Sequence, residues 1–321
     1  MRSLITPLLV AFGLALGAGA APAQDAYPTK PIRLIVPLPP GGPSDYMART
    51  VAQGLSANLG QPVVVDNKPG ADGTVALREA MAAPADGHTL LYATGSMIAL
   101  PLQSRPMSFD WLSELAPVGK LGRVSFCLIV NPGVPAHSVA ELVAYARANP
   151  DKLNYSTSTQ SELMAAAQFM RAAGIRMTRV PYKGGAQAMP DLLAGRIQVM
   201  FGPVALALPQ LNNGGVRVLA TVLPRRNASL PEVPTLAEAG FAEVAVPTWQ
   251  SIFVPAKTPR TVVNRLAQGL QTVLAKPEVR AEFERRALFV EQASPEELAA
   301  TVTREQALWT GLISEYKLAA E

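Results

Sequence analysis

The feature that most constrains this chain is a recurring order: apolar run, glycine- or hydroxyl-rich loop, amphipathic stretch. "IRLIV" (32–36) runs into "PLPPGGPSD" (37–45), and behind it Met47, Val51, Leu55 and Leu59 recur every fourth residue. The β-branched run reads as a strand and the four-residue spacing as a helix, with Ser44 or Asp45 available to cap it. "PVVVDN" (62–67) then meets "KPGADGT", a helix over 75–83, and a strand over 90–93 that ends in "ATGS". Strand, loop, helix, strand in this order predicts an α/β fold built on parallel sheets.

The pattern restarts after a long β-prone stretch, "VGKLGRVSFCLIVNP" (118–132). Ser138 and Glu141 form a capping box for a helix that stops at Pro150. "LNYSTSTQ" reads as a strand end and polar loop before a helix over 161–173, and "MTRVPYKGGAQAMPDLLAG" repeats strand, loop and helix. "RIQVMFGPV" and "VRVLATV" (216–222) are further strands, and a second unbroken β-prone stretch covers 244–259. Helices close the chain, one capped by Thr258 and begun by Pro259, another opened by a capping box at 294–297. Two similar halves joined by two extended stretches predict two lobes, 27–125 with 247–321 and 126–246, with a ligand cleft between them. The crossing stretches, near 118–130 and 244–255, are the expected hinges.

At 321 residues, 49% hydrophobic and 16% charged, the chain has enough apolar material for two cores. Its first 23 residues stand apart: Arg2, then "LLVAFGLALGAGA", then Ala21-Pro22-Ala23, a secretory signal peptide with cleavage before Gln24. The 28 basic and 24 acidic residues leave +4, or +3 without Arg2, too small a surplus for a nucleic-acid surface. The single cysteine, Cys127, lies within "VSFCLIV" and is expected as a buried structural thiol without a disulfide partner. His88 and His137 stand in turns without the spacing of a metal site, no G-x-S-x-G occurs, and no acidic pair stands out as acid and base. Lys183 has the chemistry for a Schiff base, but its loop fits anion binding as well. No enzyme, metal or cofactor is expected.

The loops carry the functional signal. A loop leaving the carboxyl end of a parallel strand for a helix presents unpaired N–H groups and a positive dipole end. Gly41 and Gly42 let the backbone approach a ligand, while Pro39, Pro40 and Pro43 restrict the flanking dihedrals. Ser44 adds a hydroxyl, and Asp45 can accept N–H bonds or orient a water. "NKPGADGT", "ATGS", "NYSTSTQ" and "PYKGGA" recur where the same sheet edge is expected, and none has phosphate-loop spacing. Such loops suit a carboxylate.

"YPTKPIRLIVPLPPGGPSDYMAR", "LGQPVVVDNKPGADGT", "VPYKGGAQAMPDLLAGRI", "LPEVPTLAEAGF" and "VPAKTP" occur in order over nearly the whole mature chain. In these stretches the chain resembles the tripartite tricarboxylate transporter substrate-binding family, the Bug-type proteins. The resemblance implies a type II, two-lobed periplasmic binding protein fold, with two Rossmann-like lobes joined by two crossing strands. It implies a monomer that captures a small carboxylate and delivers it to membrane permease subunits. A ligand-sensing partner of a membrane receptor would use the same closure and is the alternative.

Carried over by motif, the resemblance points to Pro40, Gly41, Gly42, Ser44 and Asp45 in the first loop, and to Gly70, Ala71 and Gly73 in the second. Thr94 and Ser96 follow the third strand. Ser156, Thr157, Ser158 and Thr159 hold the polar-loop place, and Tyr182, Lys183 and Gly184 the next. This chain departs from the family where Leu163 replaces a frequent histidine and Gly202 a frequent aspartate, with Gln198 at another often acidic place. Loss of that carboxylate predicts a ligand without an amino group and with aliphatic or aromatic bulk. Met164, Met200, Phe201 and Trp249 are candidates to line an apolar cleft, though each reads first as core. Ser44→Ala and Thr157→Ala are both expected to weaken binding.

Overall fold

The structure is a computed structural model and describes residues 27–100, 110–222 and 225–316; the signal-peptide reading and its cleavage point lie outside these. β1 (Ile32–Val36), α1 (Pro43–Leu59), β2 (Val63–Asn67), a 3-10 turn (Ala71–Gly73), α2 (Thr74–Met81) and β3 (Thr89–Thr94) come first. A second 3-10 turn (Gly95–Ala99), α3 (Trp111–Glu114) and β4 (Leu115–Val124) follow. The next group is β5 (Phe126–Val130), α4 (Val139–Ala148), β6 (Asn154–Thr157), α5 (Gln160–Ala173) and β7 (Thr178–Pro181). After these come α6 (Gly185–Leu193), β8 (Val199–Pro203), α7 (Val204–Leu211) and β9 (Arg217–Thr221). β10 (Trp249–Pro255), α8 (Arg260–Ala275), α9 (Pro277–Glu284), β11 (Leu288–Ala293) and α10 (Pro295–Tyr316) complete the order.

The strands form two sheets, ordered β11-β4-β10-β3-β1-β2 and β7-β6-β8-β5-β9. Because β1 pairs in parallel with β2 and β3, the helices between them must cross over the sheet faces. Both faces are therefore buried, and the side chains sort by parity. Ile32, Leu34 and Val36 pack with Met47, Val51 and Leu55 of α1 and with Leu266, Leu270 and Val273 of α8. Ile35, Leu91 and Ala93 face the other way, onto Ala76 and Leu77 of α2 and onto Trp111, Leu298 and Trp309. The second sheet repeats the plan, with Phe201 against Phe169 of α5 on one face and Met200 against Leu192 of α6 on the other.

The two-lobed α/β expectation holds, with an addition that loop–helix patterns do not encode. In each sheet the strand that arrives directly from the other lobe is inserted antiparallel: β10 between β3 and β4, β5 between β8 and β9. The edge strand β11 is also antiparallel to β4. Both sheets are mixed: the first has two reversed strands, β10 inside and β11 at the edge, and the second has one, β5.

Other local expectations shift. The stretch 118–132 breaks at buried Ser125, which separates β4 from β5, and the stretch 244–259 is strand only over 249–255. The N-cap of α1 is Gly42, not Ser44 or Asp45, and the N-cap of α8 is Pro259 rather than Thr258. Pro43 takes the first position of α1, where its missing N–H costs nothing, and this moves the cap one residue upstream of Ser44. The Ser138 and Ser294 caps form as expected, donated to by the amides of Glu141 and Glu297. Cys127 is fully buried, and burial pushes its thiol pKa well up.

One close approach fixes the edge of the first sheet. Gly122 pairs with Val290, and a Cβ at Gly122 would lie 1.9 Å from the carbonyl oxygen of Phe289. Gly122→Ala must push β11 away and is expected to destabilise the protein by roughly 2–4 kcal/mol. Urea unfolding checks this, and an unchanged midpoint would refute the pairing.

Candidate functional site

The parallel strands of both sheets end on one cleft. The loop after β1 starts α1, the loop after β6 starts α5, and the loop after β7 starts α6, so three helix N-termini reach the same space. Their lining residues are Gly42 and Ser44 from α1, Thr159 and Ser161 from α5, and Gly184 to Ala186 from α6. Thr94, Gly95 and Ser96 join from the end of β3, and Pro247, Thr248 and Gln250 from the return crossing. This first chamber has a volume of about 50 Å³, and a second beside it about 150 Å³. At about 10–15 Å³ per enclosed water, together they hold a small acid and ordered waters. Gly70 to Gly73, Tyr182 and Lys183 line the second chamber, and Thr94, Ser96, Ser158 and Thr159 lie between the two.

Most of the residues expected from the sequence converge here. Gly42, Ser44, Asp45, Thr94, Ser96, Ser158, Thr159 and Gly184 reach the first chamber, and Gly70, Ala71, Gly73, Tyr182 and Lys183 the second. Pro40 and Gly41 are exposed and line neither. Ser156 and Thr157 are buried inside β6, where Thr157 Oγ1 accepts a 2.9 Å bond from Arg179. Gly202 is buried inside β8 opposite Cys127, and a Cβ there would meet Met200 Cε at 2.4 Å, so Pro203 provides the lining instead. Met164, Met200, Phe201 and Trp249 are core, and the apolar wall is made by Leu38, Val124, Phe126 and Leu206.

The loop 70–73 has positive φ at Gly70, Ala71, Asp72 and Gly73, a backbone that favours glycine. At Ala71 and Asp72 this is strained, and Asp72 Oδ2 gains in return a 2.9 Å bond from Gln160 Nε2 across the cleft. Two more contacts bridge the lobes. Ser161 Oγ donates to Pro247 O at 2.8 Å, and Gly184 sits so close to Pro39 that an added Cβ would lie 2.8 Å from its ring.

Two acids line the first chamber, and their surroundings treat them oppositely. Asp45 accepts from Gly41 N, from Arg49 Nε and from Asn67 Nδ2, each at 3.0 Å. Burial pushes its carboxyl up, but the bonds from Arg49, Gly41 and Asn67 outweigh this and hold it below the usual carboxylate range. It braces the loop as an anion. Glu162, in the first turn of α5, is 2% exposed and pairs with no cation among the described residues. Its Oε2 accepts from Ser158 N at 2.5 Å and Ser158 Oγ at 2.8 Å. Burial outweighs these bonds and pushes its pKa to about 7. Sequence reasoning missed Glu162 and Ser161. Thr159 and Glu162 have capping spacing, and the Glu162 amide does donate to Thr159 Oγ1, but a capping glutamate ordinarily faces water. Lys183, at the second chamber, is exposed and forms no ion pair among the described residues.

Paired mixed sheets with an interlobe cleft ringed by helix starts define a binding protein of the periplasmic solute-binding class. A family model described as tripartite tricarboxylate transporter family receptor matches residues 47–318. BugT of Bordetella pertussis is 31% identical over 97% of this chain and 98% of its own length. A solved structure of Rpa4515 from R. palustris with adipate superposes with a TM-score of 0.87 at 31% identity, covering 91% of this chain and 99% of that one. MatC from Rhodopseudomonas palustris with bound malate gives 0.83 at 26% identity, over 89% of this chain and 100% of that one. The chain belongs to the tripartite tricarboxylate transporter receptor family, with the Bug proteins among its members.

Glu162 also sets a pH dependence on stability. Its folded pKa, about 7, exceeds that of an unfolded glutamate, so the folded state holds a proton that the unfolded state releases. That contribution is complete below the unfolded value and is lost as pH rises through about 7, at a total of roughly 3 kcal/mol. Thermal unfolding of the ligand-free protein from pH 4.5 to 8 should therefore decline less steeply in Glu162→Gln than in the parent. Parallel profiles would place Glu162 outside a dry environment.

Proposed function

We propose that this protein is exported to the periplasm, closes its two lobes over a small carboxylate without an amino group, and passes it to the permease subunits of a tripartite tricarboxylate transporter. The moving bodies are 27–125 with 247–321, and 126–246, turning about the adjacent crossings, where Val124 N donates to Thr248 O. The protein works as a monomer and leaves its ligand chemically unchanged.

The observation that carries this reading is the convergence of three helix N-termini and the Ser and Thr hydroxyls on one interlobe chamber. Main-chain donors and positive dipole ends favour an anion. The adipate and malate held by the two R. palustris relatives are acids without amines. Glu162 changes the argument about amines, since the cleft does hold a buried carboxyl although Gly202 does not provide one. A carboxyl pushed up to about 7 is largely protonated below neutral pH and can then donate to a ligand carboxylate. Gln160–Asp72, Ser161–Pro247 and the Gly184–Pro39 contact are the bonds of a shut cleft. A ligand touching both lobes adds to them and shifts the population toward closure.

A thermal-shift screen of mono-, di- and tricarboxylates tests the reading. An acid at about a hundredfold over its dissociation constant should add roughly 2.7 kcal/mol of stability. Glutamate or aspartate binding tightly while amine-free acids do nothing would overturn it. Removing the Ser44 hydroxyl from the chamber should weaken the best acid roughly 3- to 10-fold, the worth of one hydrogen bond. Thr157→Ala, whose side chain faces Arg179 instead, should leave the affinity within about twofold.

Gly184 tests closure separately. Its φ of −174° suits any residue, so Gly184→Ala leaves its own lobe unstrained and places a methyl against Pro39 across the cleft. Affinity should fall by roughly tenfold or more, the cost of about 1.4 kcal/mol against the shut form, while ligand-free unfolding stays where it was. Undiminished affinity in this variant would mean that binding does not need the lobes this close.

A further inference from the structure

The first chamber contains an acid that caps its own helix yet has no cationic partner among the described residues. The Glu162 carboxyl accepts from Ser158 N and Ser158 Oγ on Oε2 and from the backbone N–H of Thr159. No lysine, arginine or histidine lines this chamber among the described residues. The charged groups on neighbouring elements are engaged elsewhere or stand apart. Asp45 on α1 is tied to Arg49 and Asn67, and Asp72 to Gln160. Glu305 on α10 accepts from Trp249, and Lys183 before α6 lines the second chamber. Arg171, further along α5, pairs with Glu315. An anion drawn in by the three helix starts therefore meets a second carboxyl with no cation between them.

We propose that Glu162 is the proton-bearing contact of the cleft: a ligand carboxylate held by the helix N-termini shares one proton with the Glu162 carboxyl, so that each anion is captured together with a proton from water. The inference rests on the carboxylate-binding reading above and deepens it. Two carboxylates in a small, dry space cannot both stay ionised, and one shared proton turns their repulsion into a short charge-assisted hydrogen bond. The burial that already raises the pKa of Glu162 to about 7 means that this proton is partly in place near neutral pH. Ligand selectivity follows from the same contact. A carboxylate is accepted with the proton, while an ammonium group would have to expel it.

The test is calorimetry on the full mature protein with adipate, malate and citrate as probes, from pH 5.5 to 8.5 in two buffers of different ionisation enthalpy. The expected result is uptake of close to one proton per ligand near pH 8, and a dissociation constant that rises toward tenfold per pH unit above about 7. Glu162→Gln carries a neutral donor at the same place, so its affinity should stay within about twofold across the range, with no proton uptake. If an acid binds with no proton exchange and a flat pH profile in the parent, the Glu162 proposal is overturned while the carboxylate reading stands. Glutamate binding that tightens as pH rises would overturn it too, because Glu162 would then be an ionised counter-ion. No response to any acid at any pH would overturn both.

Discussion

Each sheet of this protein contains, at its middle, a strand that has just come from the other lobe, and the remaining geometry depends on that insertion. β5 enters between β8 and β9 directly after the chain leaves β4, and β10 enters between β3 and β4 on its return. The two crossings must then lie side by side, as the Val124–Thr248 bond and the Arg123–Trp249 pairing record. The carboxyl ends of both sets of parallel strands are held facing one another, and every loop that starts a helix from such a strand opens onto the same groove.

What fills the groove follows from what those loops can offer. Helix starts provide unpaired amides and a partial positive charge without a cationic side chain, which suits an anion that must also be released. Against that background the two acids of the first chamber illustrate how environment assigns a role. Asp45 is surrounded by donors and serves as a fixed anion that holds the α1 loop in place. Glu162 has donors only from Ser158 and the Thr159 backbone and no cation among the described residues, so burial decides its state. The same functional group braces the backbone in one place and can hold a proton in the other.

Much of this was legible along the chain. "IRLIV" and "PVVVDN" are strands because β-branched side chains suit a pleated sheet, and the Ser138 and Ser294 caps formed because capping is settled within one helical turn. The polar loop after β6 was also visible, but not its register. Ser156 and Thr157 continue the strand and turn into the lobe, and the residues that reach the cleft are Ser158, Thr159, Ser161 and Glu162. Gly202 looked like a gap left by a missing acid, whereas in the fold it lies inside β8 with the Met200 side chain packed against it.

By itself the sequence determined most of the elements (though not β11 or α7), their α/β order, the glycine- and hydroxyl-rich character of the loops, and through its motifs the family. These are properties of short segments, set by backbone dihedrals, side-chain periodicity and local hydrogen bonds. Only the tertiary structure decided that an inner strand in each sheet runs backwards, that Pro39 closes on Gly184, and that Glu162 lies in the cleft with no cation among the described residues. Burial and the identity of neighbours are sums over residues far apart in the chain, and the ionisation of a carboxyl responds to that sum rather than to the residues beside it in sequence.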